Sequence, residues 1–225
     1  MGMTPPKSWL LVSAVAAVAV YALLWVGYVS QWNWLTTMDS SALETAYRFG
    51  VARPVWVSTW NVICTVLGPG AFRIAGVVVI IAMLWRRNVR GALFVLLSVE
   101  MSGLLLVLAK HVADRPRPDT RLVDPLETAF PSGHALGVMV GVLAYAAIVW
   151  PAVRPSLRVW IGVVGAAVVI VTGIGRVVLN VHHPSDVLAG WALGYAYFVV
   201  CLLLVPPSRP VTAAGETPAA PGNSR

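Results

Sequence analysis

The chain has 225 residues, of which 58% are hydrophobic and 11% are charged. Soluble domains carry about 25% charged residues, so this composition excludes an ordinary soluble protein and predicts an all-α integral membrane protein. The net charge of +7 does not indicate a nucleic-acid partner, because no basic run is interleaved with polar surface. The two cysteines lie in apolar runs without metal-ligand spacing, which predicts buried thiols and no disulfide framework.

Apolar runs divide the chain into six predicted transmembrane helices, because a helix needs about 20 residues to cross the hydrocarbon core. The first run follows Lys7 and is too long for a signal peptide, so we interpret it as an uncleaved signal anchor. The second run is the shortest. The predicted spans are residues 9–29, 71–85, 91–109, 132–150, 159–175 and 187–205.

The residues between the first two spans follow a less regular pattern. Residues 39–49 combine helical spacing with polar content, which predicts a helix on or near the membrane surface. Residues 55–67 are apolar but are followed by Gly68-Pro69-Gly70, which predicts a re-entrant or interfacial segment. In the last span, Gly190 and Gly194 have the spacing of closely packed membrane helices.

The sequence predicts one membrane-embedded domain over residues 1–205 and a disordered cytoplasmic tail, rich in Pro, Ala and Gly, over residues 206–225. Six spans place both termini on one side of the membrane. Lysine and arginine number eight on each side, but five of those opposite the termini belong to polar segments that could bind a ligand. Setting these five aside leaves eight against three, so we expect cytoplasmic termini in a bacterial-type plasma membrane.

Three polar segments at the extracytoplasmic ends of the later spans contain all four histidines of the chain. The segments are residues 110–118, the tetrapeptide Pro131-Ser132-Gly133-His134, and residues 176–186. Charged groups in membrane-spanning regions are costly and usually functional. Because the segments share one membrane face, we expect them to form a single site for a charged lipid headgroup.

Five residues of these segments predict an anion site. Lys110, Arg117 and Arg176 are suited to phosphate, because Arg offers a planar fork of donors and Lys a compact charge. Ser132 and Gly133, at the start of the fourth span, add a hydroxyl and backbone N–H groups, and a helix N-terminus itself favours an anion. Together they could neutralise a phosphoryl group and the charge that builds during its transfer.

Two histidines and a carboxylate are the residue types that phosphoryl transfer needs. His182 and Asp186 are four residues apart, so in a helix they would share a face, where the carboxylate would fix the tautomer of a nucleophilic imidazole. His134 could protonate the leaving group. This arrangement requires no metal, and the carboxylates of residues 114–127 are interpreted as solvated loop groups rather than as metal ligands.

These segments resemble the signature of the type 2 phosphatidic acid phosphatase (PAP2) superfamily of membrane lipid phosphatases, which is K-x6-R-P, P-S-G-H and S-R-x5-H-x3-D. The resemblance covers about residues 85–204 and implies a PAP2-like helical bundle with its active site at the outer membrane face. It implies that His182 is a nucleophile that forms a phosphohistidine, that Asp186 orients it, and that His134 is the general acid. The implied phosphate-binding residues are Lys110, Arg117, Ser132, Gly133 and Arg176.

Some positions depart from the signature or lie beside it. Gly175 stands where the family usually has serine, so a hydroxyl donor is missing while a backbone N–H remains, and we expect altered phosphate affinity rather than loss of activity. Arg115 has the same Arg-Pro context as Arg117 and could bind a second phosphate or solvate the loop, of which we favour the loop role. His111 and His183 are expected to be structural.

Glu100 lies in the middle of the third span, where a carboxylate suggests a function by default. We expect it to hydrogen-bond a neighbouring helix, with Ser98, Ser102 or Thr172 as the partner. The alternative is a place on a substrate or transport pathway.

The predicted function is that of a cofactor-free lipid phosphatase in the bilayer. The motifs do not rank an isoprenyl diphosphate such as undecaprenyl diphosphate, phosphatidic acid and phosphatidylglycerol phosphate, but the scarcity of polar headgroup-reading residues favours the isoprenyl diphosphate. Alternatives are a phosphotransferase with an acceptor other than water, and a lipid transporter or flippase that uses the cationic site. Vanadium-dependent haloperoxidases have a similar site but are soluble, so the six spans argue against them. No oligomeric state is indicated.

Overall fold

The computed structural model describes residues 6–124 and 127–207. Within these residues every regular element is helical, which confirms the predicted all-α class. The helices are α1 (Lys7–Val29), α2 (Asn33–Gly50), α3 (Pro54–Val66), α4 (Pro69–Trp85), α5 (Val89–Val95), α6 (Ser102–Ala113), α7 (Gly133–Val149), α8 (Pro155–Val178) and α9 (Pro184–Leu204). A π-helical turn at Leu96–Glu100 joins α5 to α6, and a 3-10 turn at Trp150–Ala152 follows α7.

Six helical segments of the described chain are long and apolar enough to cross a membrane, as the sequence predicts. They are Lys7–Val29, Pro54–Trp85, Val89–Ala113, Gly133–Ala152, Pro155–Val178 and Pro184–Leu204. Many large apolar side chains on these helices are exposed, among them Val15, Ile74 and Leu108. Exposed apolar surface of this extent is unfavourable in water and suits the hydrocarbon core of a bilayer.

The second span is longer than predicted and contains a break. The sequence predicts a crossing at residues 71–85, with residues 55–67 as a re-entrant or interfacial segment, whereas α3 and α4 form one apolar segment, Pro54–Trp85. Helix α4 alone has 17 residues and reaches about 25 Å, short of the roughly 30 Å of the hydrocarbon core. The two helices separate at Gly68 and Pro69, because proline has no N–H and disfavours helical backbone before it.

The helix predicted at residues 39–49 is present as the longer α2, and one of its faces is buried against the bundle. Leu35, Asp39 and Leu43 are buried, and α2 packs against α8 and α9. The four-residue spacing of these side chains places them on the same side of the helix. Asp39 is therefore an interior carboxylate rather than a solvated one.

The close helix packing predicted at Gly190 and Gly194 is confirmed. Helix α9 packs against α1 and α7. A Cβ at Gly190 would lie 2.6 Å from the Ser132 carbonyl oxygen, and one at Gly194 would lie 2.8 Å from the Leu136 carbonyl oxygen. Side chains are not tolerated this close to backbone, so glycine at both positions sets the distance between α9 and the start of α7.

Glu100 ends the π-helical turn, and the partners expected for it are wrong. Ser98 and Ser102 donate to backbone carbonyl oxygens of their own turns, and the Thr172 hydroxyl has no hydrogen-bond partner among the described residues. Glu100 instead lies within the electrostatic range of Arg73 on α4. Glu100 Oε1 itself is buried without a hydrogen-bond partner among the described residues.

Most of the tail that the sequence predicts as disordered lies outside the described residues, which end at Pro207. The carbonyl oxygen of Pro206 accepts a 2.7 Å hydrogen bond from Arg90 Nε. This contact places the end of α9 beside the turn between α4 and α5, on the side of the bundle that carries Arg86 and Arg87.

Replacing Gly190 with leucine is expected to lower the melting temperature of the protein in detergent, because the new side chain would press on the backbone at the start of α7. Overpacking of this kind costs about 1–3 kcal/mol. Gly162→Leu on α8 is the matched control, because a Cβ at Gly162 meets nothing within 4 Å. Thermal unfolding followed by tryptophan fluorescence measures both variants, and equal melting temperatures would contradict the close α7–α9 contact.

Candidate active site

The three polar segments predicted from the sequence meet at one end of the bundle. The Ser132 N–H donates to the carbonyl oxygen of Asp186 at 2.9 Å, which joins the start of α7 to the start of α9. The Leu122 N–H donates to the carbonyl oxygen of Leu179 at 3.0 Å, which joins the loop after α6 to the loop after α8. The ends of four helices therefore contribute to one site.

Arg117 lies at the centre of this site. Its Nη1 donates to the Val181 carbonyl oxygen at 2.6 Å and lies 2.8 Å from His182 Nε2, while its Nε donates to the Glu127 carbonyl oxygen at 2.6 Å. Burial, together with the charge of nearby Arg176, lowers the pKa of the Arg117 guanidinium to about 10. It stays charged at neutral pH, and it contacts the imidazole that the sequence predicts as the nucleophile.

Lys110 and Arg176 are the other two predicted cations, and both are buried. Lys110 Nζ donates to the Thr128 carbonyl oxygen and lies 3.6 Å from a carboxylate oxygen of Glu127. Arg176 lies beside Cys64, and its Nε has no hydrogen-bond partner among the described residues. A buried guanidinium with an unpaired donor is unfavourable, so Arg176 is suited to bind an anion.

The start of α7 supplies the next three predicted residues. Ser132 precedes the helix, and its Oγ accepts from the Ala135 N–H at 3.5 Å. Gly133 is the first helical residue, so its N–H has no acceptor within the helix. His134 follows within electrostatic range of all three cations, and its Nε2 lies beside Gly68 at the α3–α4 break. A helix N-terminus, which favours an anion, and an imidazole thus lie near the same cationic cluster.

His182 is almost completely buried, and its two ring nitrogens have different surroundings. Nε2 faces Arg117, whereas Nδ1 lies 3.5 Å from Asp186 Oδ2, longer than a normal hydrogen bond. Burial is the main cause that lowers the pKa of His182 to about 3, and the charge of Arg117 acts in the same direction. The ring is neutral at physiological pH, with the proton on Nδ1 if Nε2 accepts from Arg117.

The sequence predicts that His182 and Asp186 approach each other by sharing a helical face. In the structure they are close, but His182 precedes the helix. Helix α9 begins at Pro184, with His183 as its cap residue. Asp186 Oδ2 accepts from the His183 N–H at 2.8 Å and lies 3.1 Å from His183 Nδ1. This capping box turns the carboxylate back past the helix start, toward His182. His183 has the structural role expected for it.

Arg115 does not solvate the loop, contrary to the expectation from sequence. It is buried, and its guanidinium donates to Asp186 Oδ1 at 2.7 Å, Asp39 Oδ2 at 2.8 Å and Ser185 Oγ at 2.7 Å. Sequence reasoning assigned no site role to Asp39 or Ser185. The sequence does contain a signal for the burial of Asp39, because it lies at four-residue spacing between Leu35 and Leu43, which are both buried.

Gly175, where the family usually has serine, lies inside α8, and its backbone N–H belongs to the helical hydrogen-bond ladder. The expected change in phosphate affinity stays a prediction. A Cβ at this position would collide with Cys64 Sγ and would lie 2.9 Å from the Trp60 ring. Packing of α3 against α8 therefore brings the side chains of Cys64 and Trp60 close to the backbone beside Arg176.

The burial of neutral His182 predicts a loss of stability as the pH falls below about 6.5. An unfolded histidine binds a proton near pH 6.5, whereas His182 stays neutral in the folded protein down to about pH 3. Between these values the unfolded state binds more protons, so acid favours it. Melting temperatures in detergent should fall less from pH 7 to pH 5 in His182→Gln than in the wild type. An identical fall would contradict the shifted pKa.

Comparisons with known proteins identify the family of the chain. Residues 91–210 match the family model of the PAP2 superfamily. The chain is 30% identical over 168 residues to phosphatidylglycerophosphatase B of Bacillus subtilis (strain 168), covering 72% of this chain and 83% of that protein. It is 29% identical over 119 residues to an undecaprenyl-diphosphatase of Sulfolobus acidocaldarius, covering 50% of this chain and 54% of that protein.

A solved structure has the same fold. The crystal structure of a transmembrane PAP2 type phosphatidylglycerolphosphate phosphatase from Bacillus subtilis aligns with a TM-score of 0.72 and 23% sequence identity, over 85% of this chain and 95% of that one. The predicted PAP2-like membrane bundle is thereby confirmed. The family model, which matches more than half of the chain, and the relative of 30% identity establish that the chain belongs to the PAP2 superfamily.

Proposed function

We propose that the protein is a membrane lipid phosphatase that works through a phosphohistidine at His182 and needs no metal ion. The main support is a buried, neutral imidazole whose Nε2 faces Arg117 at 2.8 Å, beside two further buried cations. A neutral imidazole has a lone pair for attack on phosphorus, and the cations would bind the phosphoryl oxygens. The names of the curated relatives support a lipid phosphate as substrate.

The first chemical step transfers the phosphoryl group to the protein. A bound phosphate would take the Arg117 donors away from His182, together with those of Arg176 and Lys110, and would leave the Nε2 lone pair free. Nε2 then forms a bond to phosphorus as the bond to the leaving oxygen breaks, and His134 gives that oxygen a proton. The carboxylate of Asp186 stabilises the positive charge that develops on the His182 ring.

The second step restores the protein. Water attacks the phosphorus while His134 accepts one of its protons, and the bond between phosphorus and Nε2 breaks. Inorganic phosphate leaves, and His182 returns to its neutral form. Each proton that His134 gives in the first step is recovered in the second, so the cycle needs no other acid or base.

The proposed substrates are lipids that carry a terminal phosphate at the membrane surface. Phosphatidylglycerol phosphate and phosphatidic acid present a monoester, and an isoprenyl lipid presents a diphosphate. The match to phosphatidylglycerophosphatase B covers more of this chain than the match to the undecaprenyl-diphosphatase, which favours a glycerophospholipid. From the charge count, we place the site on the extracytoplasmic face, within one domain of residues 1–205 whose termini are cytoplasmic.

Purified protein is expected to release inorganic phosphate from these lipids in detergent with EDTA present. His182→Ala should lower the rate about 10³-fold or more, because loss of a nucleophile removes the covalent path. His111→Ala is the control, since this histidine is exposed and its side chain forms no hydrogen bond or ion pair with the described residues. With labelled substrate, an acid-labile phosphoprotein should form in the wild type and be absent from His182→Ala.

Two outcomes would contradict the proposal. Full phosphate release by His182→Ala would exclude the phosphohistidine route. Transfer of label to an added alcohol or sugar, with little inorganic phosphate formed, would identify a phosphotransferase, in which an acceptor replaces water in the second step.

A further inference from the structure

A buried charge network adjoins the active site without contributing to the cationic cluster. Arg115 lies between two carboxylates, with Nη2 2.8 Å from Asp39 Oδ2 and Nη1 2.7 Å from Asp186 Oδ1. The face of the Tyr28 ring lies 4.6 Å from the guanidinium carbon. Arg115, Asp39 and Asp186 are 6%, 2% and 0% exposed. Charges buried to this extent are stable only when they are paired.

Asp39 also holds the first turn of α9. Its Oδ1 accepts from the Ser185 N–H at 3.0 Å, and its Oδ2 accepts from the Ser185 hydroxyl at 2.5 Å. The neighbouring residue in the chain is Asp186. Two carboxylates from distant parts of the sequence therefore cap the same helix N-terminus, and Arg115 joins them.

The network fixes the orientation of the Asp186 carboxylate. Arg115 occupies Oδ1, so Oδ2 is left to face His183 and the Nδ1 of His182. Both terminal nitrogens of Arg115 are engaged by protein oxygens, and none of these contacts involves a residue of the cationic cluster. Arg115 is thus placed to act on the carboxylate rather than on a phosphate.

We propose that Asp39, Arg115 and Ser185 are positioning residues for His182, which they control through the carboxylate of Asp186. They hold Oδ2 toward Nδ1, so that the proton stays on Nδ1 and Nε2 is free to attack phosphorus. This role rests on the proposed phosphohistidine function. It also extends the functional unit to α2, which lies outside residues 91–210 matched by the family model.

The opposite charges of Asp39 and Arg115 predict opposite effects on the protonation of His182. Four charged or titratable groups surround His182, and two more complete the site. The four are Arg117 from the loop after α6, Arg176 from α8, and Asp186 and His183 at the start of α9. The other two are Lys110 from α6 and His134 from α7. Arg115 and Asp39 add one positive and one negative charge behind Asp186. Removing the negative charge disfavours the imidazolium of His182, whereas removing the positive charge favours it.

The test compares pH profiles of kcat in Asp39→Asn and Arg115→Gln, measured on detergent-solubilised full-length protein with dioleoyl phosphatidic acid as substrate. We expect kcat to fall roughly 10-fold to 100-fold in both variants, as when a partner that orients a catalytic group is lost, while KM changes less than about 3-fold. The acidic limb should move to lower pH in Asp39→Asn and to higher pH in Arg115→Gln, by about 0.5–1 unit.

Conservative variants and matched controls complete the design. Arg115→Lys keeps the charge and should keep the acidic limb near its wild-type pH. Ser185→Ala removes one hydroxyl and provides a milder variant if Arg115→Gln fails to fold. Glu44→Gln removes an exposed carboxylate from α2, and Arg121→Gln removes a half-exposed arginine from the loop; both should retain wild-type kcat.

Unchanged kcat in Asp39→Asn and Ser185→Ala, or limbs that move in the same direction in Asp39→Asn and Arg115→Gln, would overturn the positioning role. If His182→Ala is inactive in the same preparation, the failure of the positioning role leaves the proposed phosphohistidine function intact. If His182→Ala remains fully active, the proposed function itself fails and the positioning role falls with it.

Discussion

The structure depends on the burial of one negative charge, the carboxylate of Asp186. A carboxylate that is 0% exposed is stable only with charge partners and hydrogen-bond donors around it. Arg115 supplies the charge, the His183 N–H supplies a donor, and the helix dipole of α9 favours a negative group at this end. The loops after α6 and α8 are arranged around these requirements, and His182 is held at their meeting point.

The sequence predicts the membrane fold well because the main constraint on a transmembrane helix is the length of its apolar run. A run of about 20 apolar residues can satisfy its backbone in a bilayer only as a helix, and five of the six spans follow directly from this rule. The second span is predicted too short, because Gly68 and Pro69 divide the apolar segment Pro54–Trp85 into two shorter helices. The helical spacing of α2 is predicted, but the burial of Asp39 is not, because its partners Arg115 and Ser185 lie far away in the chain.

The site is predicted in part, for a similar reason. Motif spacing identifies His182, His134 and the three cations, since each motif is local and the chemistry restricts the residue types. It does not identify Arg115 as a buried residue, because its carboxylate partners lie 76 and 71 positions away in the chain. It also gives the wrong cause for the contact of His182 with Asp186, because an i, i+4 spacing can arise from a helix cap as well as from a helix.

The contact between α2 and α9 has a consequence for how this chain can be divided. The family-matched segment, residues 91–210, contains all three polar segments of the proposed active site, yet a fragment limited to it would lack Asp39. Arg115 would then face a single carboxylate, and the Ser185 N–H would lose its acceptor inside the protein. The segment of sequence similarity therefore does not contain all the charges that are paired in this network. Helix α2, which lies before that segment, supplies the Asp39 carboxylate as a counter-ion for Arg115.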